Sequence, residues 1–600
     1  MSSPRAGHYT GGFQVATYFP SAVVTRLLSD TAGIKSAIDG MKALQVEHVF
    51  LEVHRGGHEA AEETLARARD AFRSAGFRVG AGLTTTWSEG FGAPALPQPE
   101  QEGLLFCYSH PQTAADISRM CELAARLFDE LMLDDFFFTN CECDLCRVAK
   151  GDGPWWRAHN RILADFAAKA VLAPAHRVNP NCRVIVKYPQ WYDRFQQFGY
   201  DAVAQTRQFD AVWVGTETRD PHQETFGPVQ QGQSWSVYHY LADLGGERTL
   251  GGWFDPYACD VPSYVEQAYQ TVLVGTREML LFNYGCLQHE QYRPMAAAFV
   301  QELPRLRRWA ASLRVAEPVG VACYKPPSSF PHGEYYVFDY LTMIGLPITM
   351  HTSFPSEARV AFVSGHALAD RDTVGRLRKH VRAGGSVVAS AEFVLGIGRH
   401  EAMELFGLEG RGSLAEEGPA QTTSIWVGGR RHTLGAPVEV AGLIRTAGAE
   451  VLASWGPDPR YAPYLTRKRH GRGSAMMMEL WTQPLGGRTG VNMTRWVRFM
   501  DLPQEVLDTV RAAVTEPLGL RISAPGRVGL YCFEGGPLAV CNYRNEPASV
   551  EVSSAPGSVL GAIESLAAEP DSGIALERTG ADVVHISLPA RSRVLLQPSR

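Results

Sequence analysis

Eight short apolar runs recur between Phe13 and Gly285, and amphipathic stretches of helical period separate them. This alternation predicts parallel strands joined by helices, and eight strands are the number that closes a (β/α)8 TIM barrel. An open doubly wound sheet is the alternative, but it would carry a glycine-rich phosphate turn after its first strand, and FPSAVVTRLL has none. We therefore predict a barrel. In chain order the runs are FQVATYFP, HVFLEVHRGG, FRVGAGLTTTW, ELMLDDFFF, RVIVKYPQWY, FDAVWVGTETR, TLGGWFDPY and EMLLFNYG.

The fourth run, ELMLDDFFF, contains two adjacent carboxylates, Asp134 and Asp135. It is too short for a helix and too continuous for a half-exposed strand, so it predicts a strand that is buried on both faces. In a (β/α)8 barrel the catalytic side chains collect at the carboxyl ends of the strands. Consecutive strand residues point to opposite faces, and we therefore expect only one of the two aspartates to face the pocket.

Three cysteines follow the fourth run with the spacing C-x-C-x-x-C: Cys141, Cys143 and Cys146. A tight loop can bring three such sulfurs around one ion, and a structural zinc site takes a fourth ligand, for which Cys107 in FCYSHP is the candidate. Ordinary buried or disulfide-bonded cysteines are the alternative, but half-cystines one residue apart rarely pair, and nothing in the chain is typical of a secreted protein. We predict a structural Zn²⁺ site.

A lone cysteine followed by C-x-C-x-x-C just beyond the fourth strand resembles the zinc cluster of the glycoside hydrolase family 42 beta-galactosidases. The resemblance implies a catalytic barrel, a flavodoxin-like trimerisation domain and a small β-sandwich, in that order. It also implies a homotrimer with glycosidase activity on a galactoside-like substrate. The family carries its acid/base on the Glu of an Asn-Glu pair on the fourth strand, and this chain departs from that pattern with Asp134-Asp135.

A new pattern begins at about Glu317. Strand and helix patterns alternate there and predict a small doubly wound α/β domain. This order resembles the trimerisation domain of family 42, which is itself like a class I glutamine amidotransferase, although VSGHALAD supplies no cysteine at a nucleophile elbow. The tail from Pro517 predicts short alternating strands of an antiparallel sandwich. The predicted domains are residues 1–315 (barrel), 316–515 (α/β domain) and 516–600 (β-sandwich).

The ends of the predicted barrel strands carry a mixture of carboxylates, cations and aromatic side chains. Aromatic faces stack on the apolar face of a pyranose while charged groups bind its hydroxyls, so this mixture suits a sugar site. A structural role is the alternative for several of these residues, since Arg219 could pair with Glu217 or Asp220 and Trp253 could lie in the core. The candidate substrate-binding residues are His54, Arg55, Trp87, Lys187, Trp191, Arg219, Trp253 and Tyr284.

Glycoside hydrolysis needs two carboxyl groups that flank the scissile bond. Our predicted catalytic pair is Asp134 or Asp135 on the fourth strand with Glu217 on the sixth, an arrangement that resembles the alpha-galactosidase clan. The family 42 pattern would instead place the acid/base on the fourth strand and the nucleophile on the seventh, where Asp255 is the available carboxylate. A middle domain and neighbouring subunits would wall the rim into a pocket, so we expect exo action on a small oligosaccharide or glycoside.

Charge and composition exclude several classes of partner. A net charge of -6 offers no large basic field, so nucleic acid is not expected to bind. The N-terminal MSSPRAGHYTGG has no apolar leader segment, and no run of about 18 apolar residues is present to span a bilayer. Eleven scattered cysteines fit reduced thiols. The chain is therefore predicted to be cytoplasmic, with no membrane partner.

Three functions fit the pattern to different degrees. A glycosidase with a carbohydrate substrate explains the barrel, the carboxylates, the aromatic residues and the domain order together. A catalytically degenerate carbohydrate-binding barrel would explain the aromatic residues and leave the paired carboxylates without a role. A metal-dependent hydrolase would need an open metal site, whereas thiolate-rich C-x-C-x-x-C sites are usually closed. We predict a glycosidase.

Overall fold

The structure is a computed structural model that describes residues 12–98, 105–221, 229–314, 316–410, 420–440, 444–459, 462–480, 497–561, 563–569, 572–580 and 582–598. The chain forms two compact units. The first contains the described residues up to Val229 together with Leu241–Arg314, and the second contains Gln230–Tyr240 and the described residues after Arg314. Within the described part of the chain, no helix is long and apolar enough to cross a membrane.

The first unit is a closed barrel of eight parallel strands. Each strand pairs with the next along the chain, and the eighth pairs with the first. Nearly every strand residue is buried, which is why the runs are continuously apolar rather than alternating. The predicted (β/α)8 barrel is confirmed. Its strands are β1 (Gln14–Phe19), β2 (His48–Arg55), β3 (Arg78–Leu83), β4 (Glu130–Leu133), β5 (Arg183–Tyr188), β6 (Ala211–Gly215), β7 (Thr249–Phe254) and β8 (Glu278–Leu281).

Helices connect the barrel strands, and aspartates begin several of them. Asp30, Asp201 and Asp260 accept hydrogen bonds from backbone amides of the first helical turn, which satisfies donors that a helix start leaves free.

A two-residue strand, His58–Glu59, pairs antiparallel with the end of β2. The α-helices are Ser21–Leu27, Thr31–Ala43, Glu62–Ser74, Pro111–Leu127, Asp144–Lys150, Trp155–Phe166, Ala173–Val178, Ala202–Gln208, Gly232–Gly245, Val261–Leu273, Tyr284–Leu287 and Arg293–Leu313, with a π-helix at Ala167–Leu172 and 3₁₀ helices at Tyr192–Phe198 and Gly246–Arg248.

The barrel lumen is filled by apolar side chains at the middle of the strands, among them Phe50, Met132 and Ile185. Side chains alternate along a strand, so the residue two positions later points into the same lumen. On β2 and β5 these residues are Glu52 and Lys187, and after β4 it is Asp134. Alternation therefore delivers charged groups to the carboxyl end of the barrel.

A second charged cluster closes the opposite end of the lumen. His48 at the start of β2 is fully buried, with Nδ1 2.6 Å from Glu278 Oε1 and Nε2 3.0 Å from Glu130 Oε2. Arg183 lies 2.7 Å from the other oxygen of Glu130. Burial alone would lower the pKa of His48, but the two glutamates raise it above its usual value. The imidazolium form is therefore favoured at this position.

A mixed sheet of nine strands forms the core of the second unit. In its parallel part Val321–Tyr324 lies between Ile348–His351 and Val360–Val363, and Ser386–Ser390 and Gly473–Met478 follow. This 2-1-3-4-5 order is flavodoxin-like, as the sequence predicts. The sheet continues through antiparallel strands at Ala462–His470, Glu450–Trp455, Ala420–Val427 and Arg430–Val440, and a separate ladder joins Leu408–Gly410 to Ile444–Thr446. In the described residues after Arg314, the α-helices of this unit are Val337–Met343, Thr373–Arg382, Ala391–Gly396, Arg399–Phe406, Val497–Met500 and Gln504–Thr515, and the 3₁₀ helices are Gly365–Ala369, Glu516–Leu518 and Ile563–Ser565.

Two antiparallel sheets form the C-terminal part of the second unit. One contains Leu520–Ser523, Ala548–Ser554, Val583–Leu588 and Leu576–Arg578, and the other contains Val528–Phe533, Leu538–Asn542, Arg593–Pro598 and Leu566–Ala568. The second sheet also takes in Pro318–Val319, a strand from far upstream in the chain. Antiparallel sheets agree with the predicted sandwich architecture, and the predicted domain boundaries stay predictions.

Replacing His48 with glutamine should remove the imidazolium that lies between Glu130 and Glu278 and leave them the more distant Arg78, whose Nη2 is 3.4 Å from Glu130 Oε2 and 3.5 Å from Glu278 Oε2. We expect the free energy of unfolding to fall by about 3–5 kcal/mol at mildly acidic pH, the usual cost of breaking a buried ion pair. The folded-state pKa of His48 is raised, so its contribution is complete below the unfolded pKa and is lost as pH rises through the folded pKa.

Urea unfolding of wild type and His48→Gln across this pH range measures the effect, with the exposed His289→Gln as control. The difference between wild type and His48→Gln should narrow at alkaline pH. A difference that stays constant with pH would contradict the buried imidazolium.

Candidate functional site

Asp134 lies in the lumen just after β4 and is held by two cations. Lys187 donates from Nζ to Oδ1, and Arg55 donates from Nη2 to Oδ2. The Thr84 hydroxyl lies 3.2 Å from the same Oδ2. Burial opposes ionisation of Asp134, but the charges of Lys187 and Arg55 outweigh it and hold the pKa of this carboxyl well below its usual range. Asp134 is therefore a fixed anion whose oxygens are already engaged.

The neighbouring Asp135 is in a different environment. Its side chain keeps 20% of its exposure, against 1% for Asp134, and its Oδ1 lies 3.6 Å from Lys187 Nζ. Burial raises the pKa of Asp135 to about 6; the Lys187 charge opposes this rise and the Asp134 charge adds to it. Both aspartates thus approach one ammonium, but only Asp135 can gain and lose a proton near neutral pH.

A second carboxylate pair lies after β6 and β7, and Arg219 bridges it. Arg219 Nη2 lies 2.9 Å from Glu217 Oε2 and 2.7 Å from Asp255 Oδ2, and its Nε lies 3.0 Å from Asp255 Oδ1. Both carboxyls are 3% exposed. Burial raises the pKa of Glu217 well above its usual value; Arg219 opposes this, and the charges of Asp255 and Asp135 add to it. Burial therefore favours the protonated form of Glu217 more than that of an ordinary glutamate.

Trp253 and Phe282 lie against the Lys187 side of the site. The Lys187 Nζ lies 3.7 Å from the centre of the Trp253 ring and 5.1 Å from that of Phe282. These cation–π contacts stabilise an ammonium that is only 1% exposed. Lys187 is thus held between Asp134 and Trp253, and direct substrate binding by Lys187 or Trp253 stays a prediction.

A β-bulge near the end of β2 decides which side chain reaches Asp134. Between Glu52 and His54 the register against β3 shifts by one residue, which interrupts the alternation along the strand. His54 stacks on Phe91 with ring centroids 3.7 Å apart and is fully buried, while Arg55 turns toward Asp134. Substrate contact by Arg55, Arg219 or His54 also stays a prediction.

The remaining aromatic candidates differ in accessibility. Trp191 is 6% exposed and packs among Phe138 and other rings. Tyr284 stacks on Phe19 with centroids 4.4 Å apart, and its hydroxyl donates to the Ala37 carbonyl at 3.4 Å. Trp87, by contrast, is half-buried on the loop after β3. Of the three, Trp87 is the most available to a ligand, and the structure does not bring Trp191 or Tyr284 into the carboxylate clusters.

Sequence reasoning missed Glu52, a fully buried carboxylate of the same cluster. Arg55 donates from Nε to Glu52 Oε1 at 3.0 Å, and Thr84 donates to the same oxygen at 2.5 Å. The sequence did contain an indication, because Glu52 is a charged residue inside the otherwise apolar run VFLEV. Phe282 and Thr84 carried no comparable signal, since apolar and hydroxyl side chains are common at strand ends.

The four predicted cysteines meet beside the loop after β4. Their sulfur atoms all lie within 4.8 Å of one another, and Cys107 Sγ is 3.5 Å from Cys143 Sγ and 3.7 Å from Cys146 Sγ. Sulfurs around a tetrahedral zinc are about 3.8 Å apart when each Zn–S bond is about 2.3 Å. All four are free thiols. The predicted grouping of these cysteines is confirmed, and its geometry fits a closed tetrahedral site.

Comparisons with known proteins agree with this picture. A family model described as a probable glycosyl hydrolase catalytic domain matches residues 4–303, half of the chain. An uncharacterized protein from Saccharolobus solfataricus is 23% identical over 368 residues, which cover 56% of this chain and 60% of that protein. The chain thus spans about 60% of the length of this curated relative.

Solved structures with similar folds cover nearly the whole chain. A glycoside hydrolase family 42 beta-galactosidase from G. stearothermophilus matches with a TM-score of 0.63 at 12% identity, over 98% of each chain. A beta-galactosidase from Rahnella sp. matches with 0.61 at 13%, also over 98% of each chain. An alpha-L-fucosidase from Paenibacillus thiaminolyticus matches with 0.68 at 11%, over 98% of this chain and 100% of that one. At these identities the likeness establishes the fold.

Replacing Arg219 with methionine should leave Glu217 and Asp255 buried without their bridging cation. We expect a loss of about 3–5 kcal/mol in the free energy of unfolding at neutral pH. Thermal unfolding of wild type and variant at neutral pH measures this loss. The exposed Arg207→Met is the control, and a variant as stable as wild type would contradict the bridged pair.

Proposed function

The chain belongs to the family of probable glycosyl hydrolases, and we propose that it is an exo-acting glycosidase that cleaves a small galactoside-like glycoside or oligosaccharide, with Asp135 and Glu217 as its essential pair. The observation that carries the proposal is the separation of protonation states at one rim. Asp135 has a pKa of about 6, and that of Glu217 is well above its usual value. This difference suits one carboxyl to act in its ionised form and the other in its protonated form, as glycoside cleavage requires.

The two carboxyls have complementary roles. Glu217 donates its proton to the glycosidic oxygen as the bond between that oxygen and the anomeric carbon breaks. The Asp135 carboxylate acts at the anomeric carbon, either as the nucleophile or as the base that removes a proton from the attacking water. If Asp135 is the nucleophile, a glycosyl ester forms on it, and the ionised Glu217 takes a proton from the water that hydrolyses this ester. If Asp135 is the base, it takes the proton of the attacking water and releases it to solvent, while Glu217 regains a proton from solvent. In both cases one water is consumed and its hydroxyl goes to the sugar. Asp134 serves as a fixed counter-ion, because Lys187 and Arg55 already engage it.

The charge balance of the site favours a neutral sugar. Arg55 is engaged by Glu52 and Asp134, Lys187 by Asp134, and Arg219 by Glu217 and Asp255. A substrate carboxylate or sulfate would have to compete with these buried pairs. Beta-galactosides and alpha-L-fucosides, on which the structural neighbours act by their names, are both neutral. Exo action and the galactoside preference rest on the family 42 resemblance.

The assignment of roles is tested by the dependence of rate on the leaving group. Glu217→Gln should lose about 10²–10⁴-fold in kcat/KM on phenyl glycosides and much less on dinitrophenyl glycosides, whose leaving group needs no proton. Asp135→Asn should lose activity on both. Steady-state rates on β-D-galactosides, α-L-fucosides and β-D-glucuronides measure this, and the glucuronides should not be turned over.

The competing assignment places the nucleophile on the seventh strand. In that case Asp135→Asn would show the leaving-group dependence, Asp255→Asn would lose activity on all substrates, and Glu217→Gln would stay active. Glu302→Gln is a matched control, since its carboxyl accepts from the Tyr269 hydroxyl on a helix outside the cluster. If wild type hydrolyses no glycoside, the carbohydrate-binding alternative replaces the enzyme.

The cysteine cluster supports a further part of the proposal, one structural Zn²⁺ per chain. Cys107, Cys141, Cys143 and Cys146 would hold it. Cys143 directly precedes the helix Asp144–Lys150 and Cys146 lies in its first turn, so one short segment positions two of the four sulfurs. The bound ion would cross-link the loop after β3 to the loop that follows Asp135. The role of the ion would be structural and not catalytic, because four protein ligands leave no open coordination position.

Elemental analysis should find one zinc per chain in wild type and none in the variant that combines Cys143→Ser with Cys146→Ser. The variant should also unfold at a lower temperature, because the loops lose their cross-link. Cys182→Ser, which changes a buried cysteine outside the cluster, is the control. Absence of stoichiometric metal from wild type, or full metal content in the double variant, would contradict the site.

A homotrimer is the last part of the proposal. It rests on the resemblance of the second unit's flavodoxin-like sheet to the trimerisation domain of family 42 and on the similar fold of the family 42 structures.

A further inference from the structure

Glu52 is the most fully engaged carboxylate of the barrel lumen. It receives hydrogen bonds from the Tyr18 hydroxyl at 2.7 Å, the Ser21 amide at 2.8 Å and the Thr84 hydroxyl at 2.5 Å. Arg55 Nε adds contacts of 3.0 and 3.1 Å to its two oxygens. A carboxylate offers about four lone-pair sites. Glu52 therefore has no capacity left for a substrate, and its function must lie in what it holds.

Arg55 is the group through which Glu52 reaches the reacting carboxyls. Its guanidinium donates from Nε to Glu52 and from Nη2 to Asp134. Because the guanidinium is planar and rigid, fixing Nε also fixes the direction of Nη2. The ring of Phe282, 5.5 Å from Arg55 Cζ, packs beside the same group. The hydrogen bonds from Arg55 Nε to Glu52 thus fix the position in which Arg55 Nη2 meets Asp134.

The sequence makes room for this arrangement at Gly82. A Cβ at Gly82 would lie 2.2 Å from the Tyr18 hydroxyl oxygen, so a larger residue would displace the Tyr18 side chain from Glu52. Burial raises the pKa of Tyr18 well above its usual value, and the Glu52 charge adds to the rise. The phenol therefore stays protonated and donates a hydrogen bond to Glu52.

We propose that Glu52 is a positioning residue for the hydrolysis: it holds Arg55 on Asp134, keeps Asp134 engaged as an ion-pair partner, and leaves Asp135 as the strand-four carboxyl that reacts. This inference rests on the proposed roles of Asp135 and Glu217. Within the described residues, the hydrogen bonds of Glu52 go to Tyr18, Ser21, Thr84 and Arg55 and not to Asp135 or Glu217. Its effect on the reaction is transmitted by Arg55 and Asp134.

The substitution Glu52→Gln removes the charge and keeps the shape. With para-nitrophenyl β-D-galactoside we expect kcat to fall about 10–100-fold, because Arg55 loses its anchor, while KM changes by less than about threefold. The acidic limb of the pH profile should move to lower pH. Asp135 faces Asp134, Lys187, Arg55 and Glu217, and loss of a nearby negative charge favours its ionisation.

The substitution Tyr18→Phe tests the effect of the position of Glu52 separately from the effect of its charge. It removes one donor to Glu52 and leaves every charge in place, so kcat should fall less than in Glu52→Gln and the acidic limb should not move. Glu302→Gln is the control and should match wild type, since it removes a carboxyl that accepts from a tyrosine hydroxyl outside the cluster. Melting temperatures of all variants report whether each is folded.

The outcomes distinguish this inference from the proposed function. If Asp135→Asn retains wild-type activity, the proposed pair is wrong and the inference falls with it. If Asp135→Asn is inactive but folded Glu52→Gln keeps wild-type kcat and an unshifted profile, only the inference is overturned. If Glu52→Gln does not fold, Tyr18→Phe decides: a lower kcat at unchanged KM supports the proposal, and an unchanged kcat overturns it.

Discussion

The pairing of charges inside the barrel is the constraint on which the rest of the site depends. Removing a charge from water costs several kcal/mol unless a partner compensates it, and the lumen contains charges at both ends. At one end His48 lies between Glu130 and Glu278. At the other, Asp134 lies between Arg55 and Lys187. Each cluster draws its members from different strands, so the same contacts that neutralise the charges also tie the strands together.

This constraint also accounts for the chemical difference between adjacent residues. Asp134 points into the lumen, meets two cations and stays ionised, whereas Asp135 follows it, keeps some solvent contact and has a pKa of about 6. Glu217 shares the Arg219 cation with Asp255, and burial raises the pKa of Glu217 more than Arg219 lowers it. A rim of similar carboxyl groups thereby acquires groups in different protonation states, which is what acid–base chemistry at neutral pH needs.

The sequence was informative where a pattern is local. Continuous apolar runs predicted the barrel, and the C-x-C-x-x-C spacing predicted the cysteine cluster, because both depend on residues near one another in the chain. The direction of each rim side chain was not predictable in the same way. Tyr284 follows its strand as the pattern predicts, yet it packs on Phe19. Asp255 and Arg219 meet only because β6 and β7 are neighbours, and a two-residue strand such as Pro318–Val319 has no periodicity to detect.

The bulge in β2 has a consequence for how such a chain can change by insertion and deletion. Val53 is the extra residue that lets Glu52 and Arg55 both face the Asp134 cluster, although they are three positions apart. Deleting the extra residue would leave the two charges two positions apart, where strict alternation also points them to one face. Homologous chains that retain this ion-pair chain should therefore place its glutamate and arginine either three positions apart with a bulge or two positions apart without one, even where the loops on either side vary freely.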